Sequence, residues 1–173
     1  MNVANIVCEW KAQIEQSLIA FQTVAELGGD PITRDEITVE YLPSPHRPPT
    51  LLPEGKLAIY AFWGDGGWLK IGKAGPNSQG RYTYQHYGFN APRTLAKSLV
   101  ASQAEHPIPG FDPIAPGNWI KASTHRVNIL IPSSRRIELL SLLEAFLHLR
   151  LNPRYEGYEA QRPRPASNGV IQP

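Results

Sequence analysis

The sequence has little cysteine and no long apolar run. Cys8 is the only cysteine among 173 residues, and no Cys or His stands at metal-ligand spacing from it. This argues against a disulfide framework and against a structural zinc site. No apolar run approaches the roughly 20 residues that a membrane-spanning helix needs. Met1 is followed by Asn2 and Val3 rather than by a basic segment and an apolar stretch, so no secretory leader is expected. These absences predict a cytoplasmic protein with no membrane partner.

Proline and an uneven distribution of charge are what the sequence does contain. The 17 prolines predict long ordered loops, and 42% hydrophobic with 18% charged residues fits one globular domain. Residues 1–54 carry a net charge of −5, whereas residues 55–173 carry +7. A basic segment is typical of proteins that bind nucleic acid, although a merely solvated basic surface explains the charge equally well.

Residues 1–54 are predicted to form a helix, a short strand and a connector. Apolar residues recur at steps of three and four over residues 3–27, and two glycines follow, which predicts an amphipathic helix. Its apolar stripe needs a partner, either the main domain or a second copy of the chain, so a homodimer through this helix is one expectation. Thr33 and Glu36 have capping-box spacing, "ITVEYL" favours a strand, and residues 43–53 are predicted to be an ordered proline-rich connector.

Residues 55–156 are predicted to form the main domain, an α/β (α+β) fold with a small, three-stranded, mostly antiparallel sheet flanked by helices. "KLAIYAFW" and "WLKIGKA" flank "GDGG" and predict a hairpin, and "HRVNILIP" predicts a third strand. "GRYTYQHYGF" and "TLAKSLVASQ" favour helices, with a long loop before the third strand. The strongest helix pattern follows that strand, with Ser133 or Ser134 as its cap. Residues 157–173 are polar and proline-rich, which predicts a flexible tail.

The order of these parts resembles the GIY-YIG nuclease family, over roughly residues 55–156. The landmarks, in chain order, are Ala58-Ile59-Tyr60 for the first motif, Lys70-Ile71-Gly72 for the second, Arg81, Glu144 and Asn152. Each tripeptide alone is a weak signal, whereas five landmarks in order are fairly specific. The resemblance implies an endonuclease that hydrolyses DNA, duplex or branched, with Mg²⁺ or Mn²⁺ held at Glu144.

Two positions depart from the family pattern. Lys70 replaces the tyrosine of the second motif, although branches with lysine at this position exist. The family also tends to place a His or Tyr about one turn after the arginine. Tyr84 and His86 both lie near that spacing from Arg81, and His86 is assigned to the site. The resemblance thus implies Tyr60, Arg81, His86 and Glu144 as catalytic residues.

Phosphodiester hydrolysis explains why such residue types would be needed together. The reaction needs a base for the attacking water, positive charge at the non-bridging oxygens and stabilisation of the leaving oxygen. Glu144 would hold the metal, Arg81 would grip the phosphate, and Lys73 would supply a further catalytic charge. The hairpin is expected to place Lys73 beside Tyr60. Neighbouring cations would have to lower the Tyr60 pKa from about 10.

Simpler interpretations stand beside these roles. Glu144 would turn outward to pair with His148 or Arg136, Tyr60 would be an ordinary half-buried strand tyrosine, and the cations would be solvated. Lys70 favours a second function, a nucleic-acid-binding module with an impaired site. A third is a non-enzymatic oligomeric adaptor built on the first helix.

Several other residues are weaker candidates. Lys70, Tyr84 and Asn152 are further candidates for the site. Trp68 is predicted to stack on a base, and Arg150 and Arg154 are predicted to contact nucleic acid.

Overall fold

A computed structural model describes residues 3–155, and the predicted tail at residues 157–173 lies outside them. The helices are α1 (Val3–Leu27), α2 (Gln79–Thr83), α3 (Leu95–Ala101), α4 (Pro116–Ser123) and α5 (Ile137–Leu151). The strands are β1 (Thr38–Leu42), β2 (Lys56–Gly64), β3 (Gly67–Ala74) and β4 (His125–Pro132), and 3₁₀ turns lie at Arg34–Glu36 and Gln85–Tyr87. No helix within residues 3–155 combines the length and apolar character that a bilayer crossing requires.

The four strands form one antiparallel sheet in the order β1-β4-β2-β3. The α+β class is therefore confirmed, whereas the count of three strands is wrong. The additional strand is β1, the "ITVEYL" segment, which pairs with β4 from Thr38 opposite Leu130 to Leu42 opposite Arg126. It covers the backbone groups of a strand that would otherwise be an open sheet edge. The opposite edge is β3.

Helices cover both faces of the sheet because buried side chains alternate along the strands. One face carries Ile59, Val127 and Ile129 and packs against α1 and α5. The other carries Tyr60 and Phe62 and packs against the segment that contains α2, α3 and α4. A bulge between Phe62 and Trp63 changes the register near the hairpin turn. The candidate site residues are thereby distributed over two faces.

The N-terminal helix packs on the rest of the chain. Trp10, Ile14, Leu18 and Phe21 form its apolar stripe and are fully buried in the same cluster as α5 and the sheet. From Trp10 to Ala25, where the side chains are described, the stripe on which the homodimer expectation rested is covered within one chain. Residues 3–54 and the main domain share this core.

The connector is ordered, as its prolines predict. The backbone N–H of Ser44 donates to Nδ1 of His125 (2.9 Å), and the N–H of His46 donates to the carbonyl of Lys121 (2.9 Å). The capping box of Thr33 and Glu36 is confirmed, with the Thr33 N–H donating to the Glu36 carboxylate (2.9 Å).

Two helices differ from the predictions, one in its existence and one in its N-cap residue. Helix α4 forms inside the predicted long loop and begins at Pro116, whose missing N–H costs nothing in the first turn. Helix α5 is preceded by Arg136 as its N-cap, not by Ser133 or Ser134. The serines belong to a turn after β4, in which the N–H of Ser133 donates to the carbonyl of Gly55 (2.8 Å).

Candidate active site

The hydroxyl of Tyr60 lies over the backbone of the edge strand β3. Tyr60 is opposite Gly72, and its side chain is 1% exposed. A Cβ atom at position 72 would lie 2.7 Å from Cζ of Tyr60, closer than such contacts are in proteins. The second-motif glycine is therefore required by the tyrosine of the first motif. The pair holds a phenol hydroxyl at an edge of the sheet.

Lys73 does not lie beside Tyr60, so the expected arrangement of the hairpin is wrong. Lys73 is opposite Ile59, one residue from the Tyr60–Gly72 pair, and neighbouring residues of a strand point to opposite faces. Its ammonium group lies on the α5 face, where Nζ is 2.9 Å from Oε2 of Glu144 and 3.0 Å from Oγ of Ser141. Lys73 is thus the cation partner of the predicted metal-binding carboxylate.

Glu144 faces the sheet rather than the outer surface of α5. Its side chain is 18% exposed, and it pairs with Lys73 instead of Arg136. Among the residues that the structure describes, no three His, Cys, Asp or Glu side chains come together as a metal-binding group. A single accessible carboxylate nevertheless fits Mg²⁺, which keeps several waters and commonly uses one or two carboxylates.

His86 contributes a buried imidazole next to Tyr60. The two rings are 4.7 Å apart, and the backbone N–H of Leu95 donates to Nδ1 of His86 (3.2 Å). This contact assigns the ring proton to Nε2, which is buried and has no hydrogen-bond partner in the described part of the chain. Burial, followed by Lys70 and other cations, lowers the pKa of His86 to about 3. The ring is neutral, and its Nε2–H is enclosed and unpaired within the described part of the chain.

Lys70 occupies the second-motif position on the same face as Tyr60, because it is opposite Phe62. Its side chain is 8% exposed, and Nζ donates to the carbonyl of Tyr155 (2.9 Å). The backbone N–H groups of Arg154 and Tyr155 donate to the carbonyls of Trp68 and Leu69 (2.9 and 2.8 Å). The segment after α5 therefore closes part of the β3 edge and holds Lys70 in position.

Arg81 is presented by the short helix α2. It is exposed, and its charge acts on both Tyr60 and His86. Tyr84 follows at the end of α2 and is 58% exposed, which leaves its ring accessible. Arg81 therefore combines access to solvent with proximity to the phenol, as a phosphate-binding residue would.

The pKa of Tyr60 is raised, contrary to the expectation that cations would lower it. Burial is the largest cause and raises the pKa to about 12; Glu144 acts in the same direction, while Arg81 and Arg126 oppose it. Loss of hydration penalises the phenolate more than two cations stabilise it. The Tyr60 hydroxyl is protonated at neutral pH.

Residues predicted to bind nucleic acid line a separate cleft. This cleft, of about 790 Å³, lies between α1, the hairpin turn and the end of α5, and includes Trp68, Arg150, Asn152 and Arg154. Trp68 is 5% exposed and donates through Nε1 to Gln13 (2.7 Å), so its ring has little free face for a base. Asn152 caps α5 in a left-handed conformation with φ of 45°. The structure groups Asn152 with these arginines, not with Tyr60.

Sequence reasoning missed a buried polar group beneath Tyr60. Arg126 is fully buried, and its guanidinium lies 5.7 Å from the Tyr60 ring centroid. Asn128, two residues along β4, is also fully buried and accepts a hydrogen bond from Nε of Arg126 (2.8 Å). The available signal was the polar pair at alternate positions of "HRVNILIP", which places both side chains on one face of a buried strand.

Comparisons with known proteins identify no relative of this chain. No family model matches it, and neither the curated proteins nor the solved structures give a significant match.

Proposed function

We propose that the protein is a metal-dependent endonuclease that hydrolyses phosphodiester bonds in DNA with a GIY-YIG-type site. One observation carries the proposal: the Tyr60 hydroxyl lies against Gly72 of the edge strand β3, and the next residue of that strand, Lys73, holds the Glu144 carboxylate on its other face. A site that hydrolyses a phosphodiester needs a proton acceptor for the attacking water and an anion that holds a metal, and Tyr60 and Glu144 are groups of these kinds.

The side chains divide the work of hydrolysis. Arg81 binds the scissile phosphate, because an exposed guanidinium matches two phosphate oxygens with its planar fork. His86 lies against the Tyr60 ring, and its enclosed Nε2–H would gain a partner if an oxygen of the same phosphate entered this pocket. Tyr60 accepts the proton of the attacking water once its phenol is ionised.

Glu144 is the proposed ligand of Mg²⁺, or of Mn²⁺. When bound, the cation would supply positive charge to the non-bridging and leaving oxygens and lower the pKa of the Tyr60 phenol. Lys73 holds the Glu144 carboxylate toward the sheet through their 2.9 Å contact. Lys73 is therefore assigned to the carboxylate and not to the phenol.

A second function is a nucleic-acid-binding module that does not cut. The ion pair between Lys73 and Glu144 favours it, because the ammonium group already neutralises the carboxylate that the metal needs. The buried contact of Lys70 with Tyr155 favours it too, since this lysine is committed to the fold. The partner in both functions is DNA. A cytoplasmic location belongs to the same proposal.

Cleavage with matched variants separates the two functions. Supercoiled, branched and single-stranded DNA would be incubated with the full chain in Mg²⁺, Mn²⁺ or EDTA. Glu144→Ala is expected to abolish cleavage and to retain binding, because the helix keeps its packing while losing the metal ligand. Glu138→Ala is the control on the same helix, since Glu138 is 69% exposed and pairs only with Arg136 in the described structure.

Two further variants assign roles within the site. Tyr60→Phe keeps the ring and removes the hydroxyl, so a loss of cleavage of about 100-fold or more is expected if the hydroxyl transfers a proton. Arg81→Ala is expected to impair both cleavage and binding. Cleavage by Glu144→Ala at the wild-type rate would refute the proposed site. If the parent protein and the variants bind DNA in a salt-sensitive way and none of them cleaves it, the binding module is favoured.

A further inference from the structure

Among the residues that the structure describes, Arg126 has the largest charged side chain that is fully buried. It stands on β4 opposite Phe62 of β2, with none of its surface exposed. Burying a cation is costly unless hydrogen bonds and compensating charge surround it. Asn128 provides part of that compensation by accepting from Nε of Arg126 (2.8 Å) and donating to the Glu40 carboxylate (2.9 Å). An amide thus links the buried cation to an anion.

The guanidinium contacts the elements that carry the candidate site. Its carbon atom lies 5.7, 5.3 and 5.1 Å from the ring centroids of Tyr60, Phe62 and Tyr82. One terminal nitrogen donates to the Tyr82 carbonyl, and the other donates to the Tyr87 hydroxyl (3.2 Å). Tyr82 directly follows Arg81 on α2. One side chain therefore links the strand of the phenol to the helix of the phosphate-binding arginine.

We propose that Arg126 is a positioning residue of the candidate site, which fixes Tyr60 relative to Arg81 and whose buried charge favours the phenolate form of Tyr60. This inference rests on the proposed function. A lysine would keep the charge, but its ammonium group lacks the planar fork that reaches Tyr82, Tyr87 and Asn128 together. The choice of arginine therefore serves geometry as well as charge.

The other charged or titratable groups around the phenol do not replace this one. Arg81 on α2 has a larger effect on the pKa of Tyr60 than Arg126 has, but it acts from a solvent-exposed position, where water and salt screen its charge. Glu144 on α5 acts in the opposite direction. His86 is adjacent but neutral, and Lys70 on β3 donates to Tyr155. Arg126 is the cation that is both desolvated and in contact with the ring.

The direct test measures the ionisation of the phenol without any substrate. The full chain would carry 3,5-difluorotyrosine at position 60 alone, whose phenol is more acidic than that of tyrosine, and its fluorine signal would be followed against pH without metal. Arg126→Met, which removes the charge, is expected to raise this pKa by about 1 unit or more. Arg126→Lys is expected to leave the pKa near that of the parent protein and to lower the cleavage rate.

Leu18→Ala is the control for general loss of stability, because Leu18 lies in the core on the other face of the sheet. It should leave the pKa at position 60 unchanged. An unchanged pKa in a folded Arg126→Met protein would overturn the proposal. If that variant does not fold, the NMR signal of Nε of Arg126 would be followed against pH in the chain that carries difluorotyrosine at position 60 and is otherwise unchanged. This signal is expected to shift as the phenol ionises. A constant signal would overturn the proposal.

These readouts keep the two proposals distinguishable. A shifted pKa in a protein that cleaves no DNA would retain the coupling between Arg126 and Tyr60 and refute the nuclease. Cleavage with no coupling would retain the nuclease and refute the role of Arg126. Loss of cleavage in Arg126→Lys with an unchanged pKa would separate positioning from charge.

Discussion

Because Gly72 has no side chain, the ring of Tyr60 can lie against the backbone of β3. The phenol occupies the space that any Cβ at position 72 would fill. Burial keeps this phenol protonated, and Arg81 and Arg126 act against burial. The pKa of Tyr60 therefore depends both on the loss of hydration and on the neighbouring charges, so small changes in geometry alter it.

Replacement of Gly72 by alanine tests this contact. The added methyl group would displace a ring that is fully enclosed, so we expect cleavage to be lost and the free energy of unfolding to fall by about 1–3 kcal/mol. Gly75→Ala is the matched control, because a Cβ there has no atom within 4 Å beyond those of the adjacent residues. Urea unfolding and the plasmid assay would measure both effects. A Gly72→Ala protein with parental cleavage would show that the phenol need not lie there.

Among the secondary-structure elements, α1 is the one whose packing partner the sequence left open. Its stripe joins the core of the main domain, and β1 joins the sheet, so the partner of the stripe is the main domain of the same chain. Arg135 reinforces this attachment from the turn before α5, through its ion pairs with Asp30 and Glu36. The helix thus supports α5, which carries Glu144.

Adjacent residues of α1 provide a test of its contribution. Leu18 is fully buried and Ile19 is 64% exposed. Leu18→Ala is expected to lower the free energy of unfolding of the whole chain by about 2–5 kcal/mol, whereas Ile19→Ala should change it by less than about 0.5 kcal/mol. Circular dichroism and tyrosine fluorescence should report one shared transition. Two separate transitions would indicate that residues 3–54 form an independent unit.

For the whole molecule, buried histidines predict the response to acid. Burial is the main cause that lowers the pKa of His46 to about 4 and that of His86 to about 3. An unfolded histidine has a pKa of about 6.5. Below that value the unfolded chain binds protons that the folded chain does not. Stability is therefore complete above about pH 6.5 and decreases as the pH falls toward 4.

Urea unfolding at several pH values checks this prediction. Each of the two histidines should contribute a loss of about 1–2 kcal/mol between pH 7 and pH 5. His46→Gln should have a shallower pH dependence than the parent protein, even if it is less stable at every pH. His106→Gln is the control, because His106 is exposed. Equal slopes for His46→Gln and the parent protein would contradict the assignment.

Local patterns in the sequence determined most of the elements and the order of the motifs. The periodicity of α1 and α5, the glycine-rich turn of the hairpin and the apolar strands are properties of short segments, so they could be predicted without the fold. The capping box at Thr33 and Glu36 belongs to the same class. Propensity and periodicity act over a few residues, which is why these predictions agree with the structure.

Only the tertiary structure decided which side chains meet. The pairing of β1 with β4 joins segments far apart in sequence, and no local pattern specifies it. Lys73 follows Gly72, the residue opposite Tyr60, by one position on β3. Its side chain therefore lies on the face of the sheet that Glu144 contacts, whereas Tyr60 lies on the face of Arg126. The raised Tyr60 pKa and the burial of Arg126 likewise depend on packing from both faces. Residue identity supplied the chemical groups, and strand register with long-range packing determined their partners.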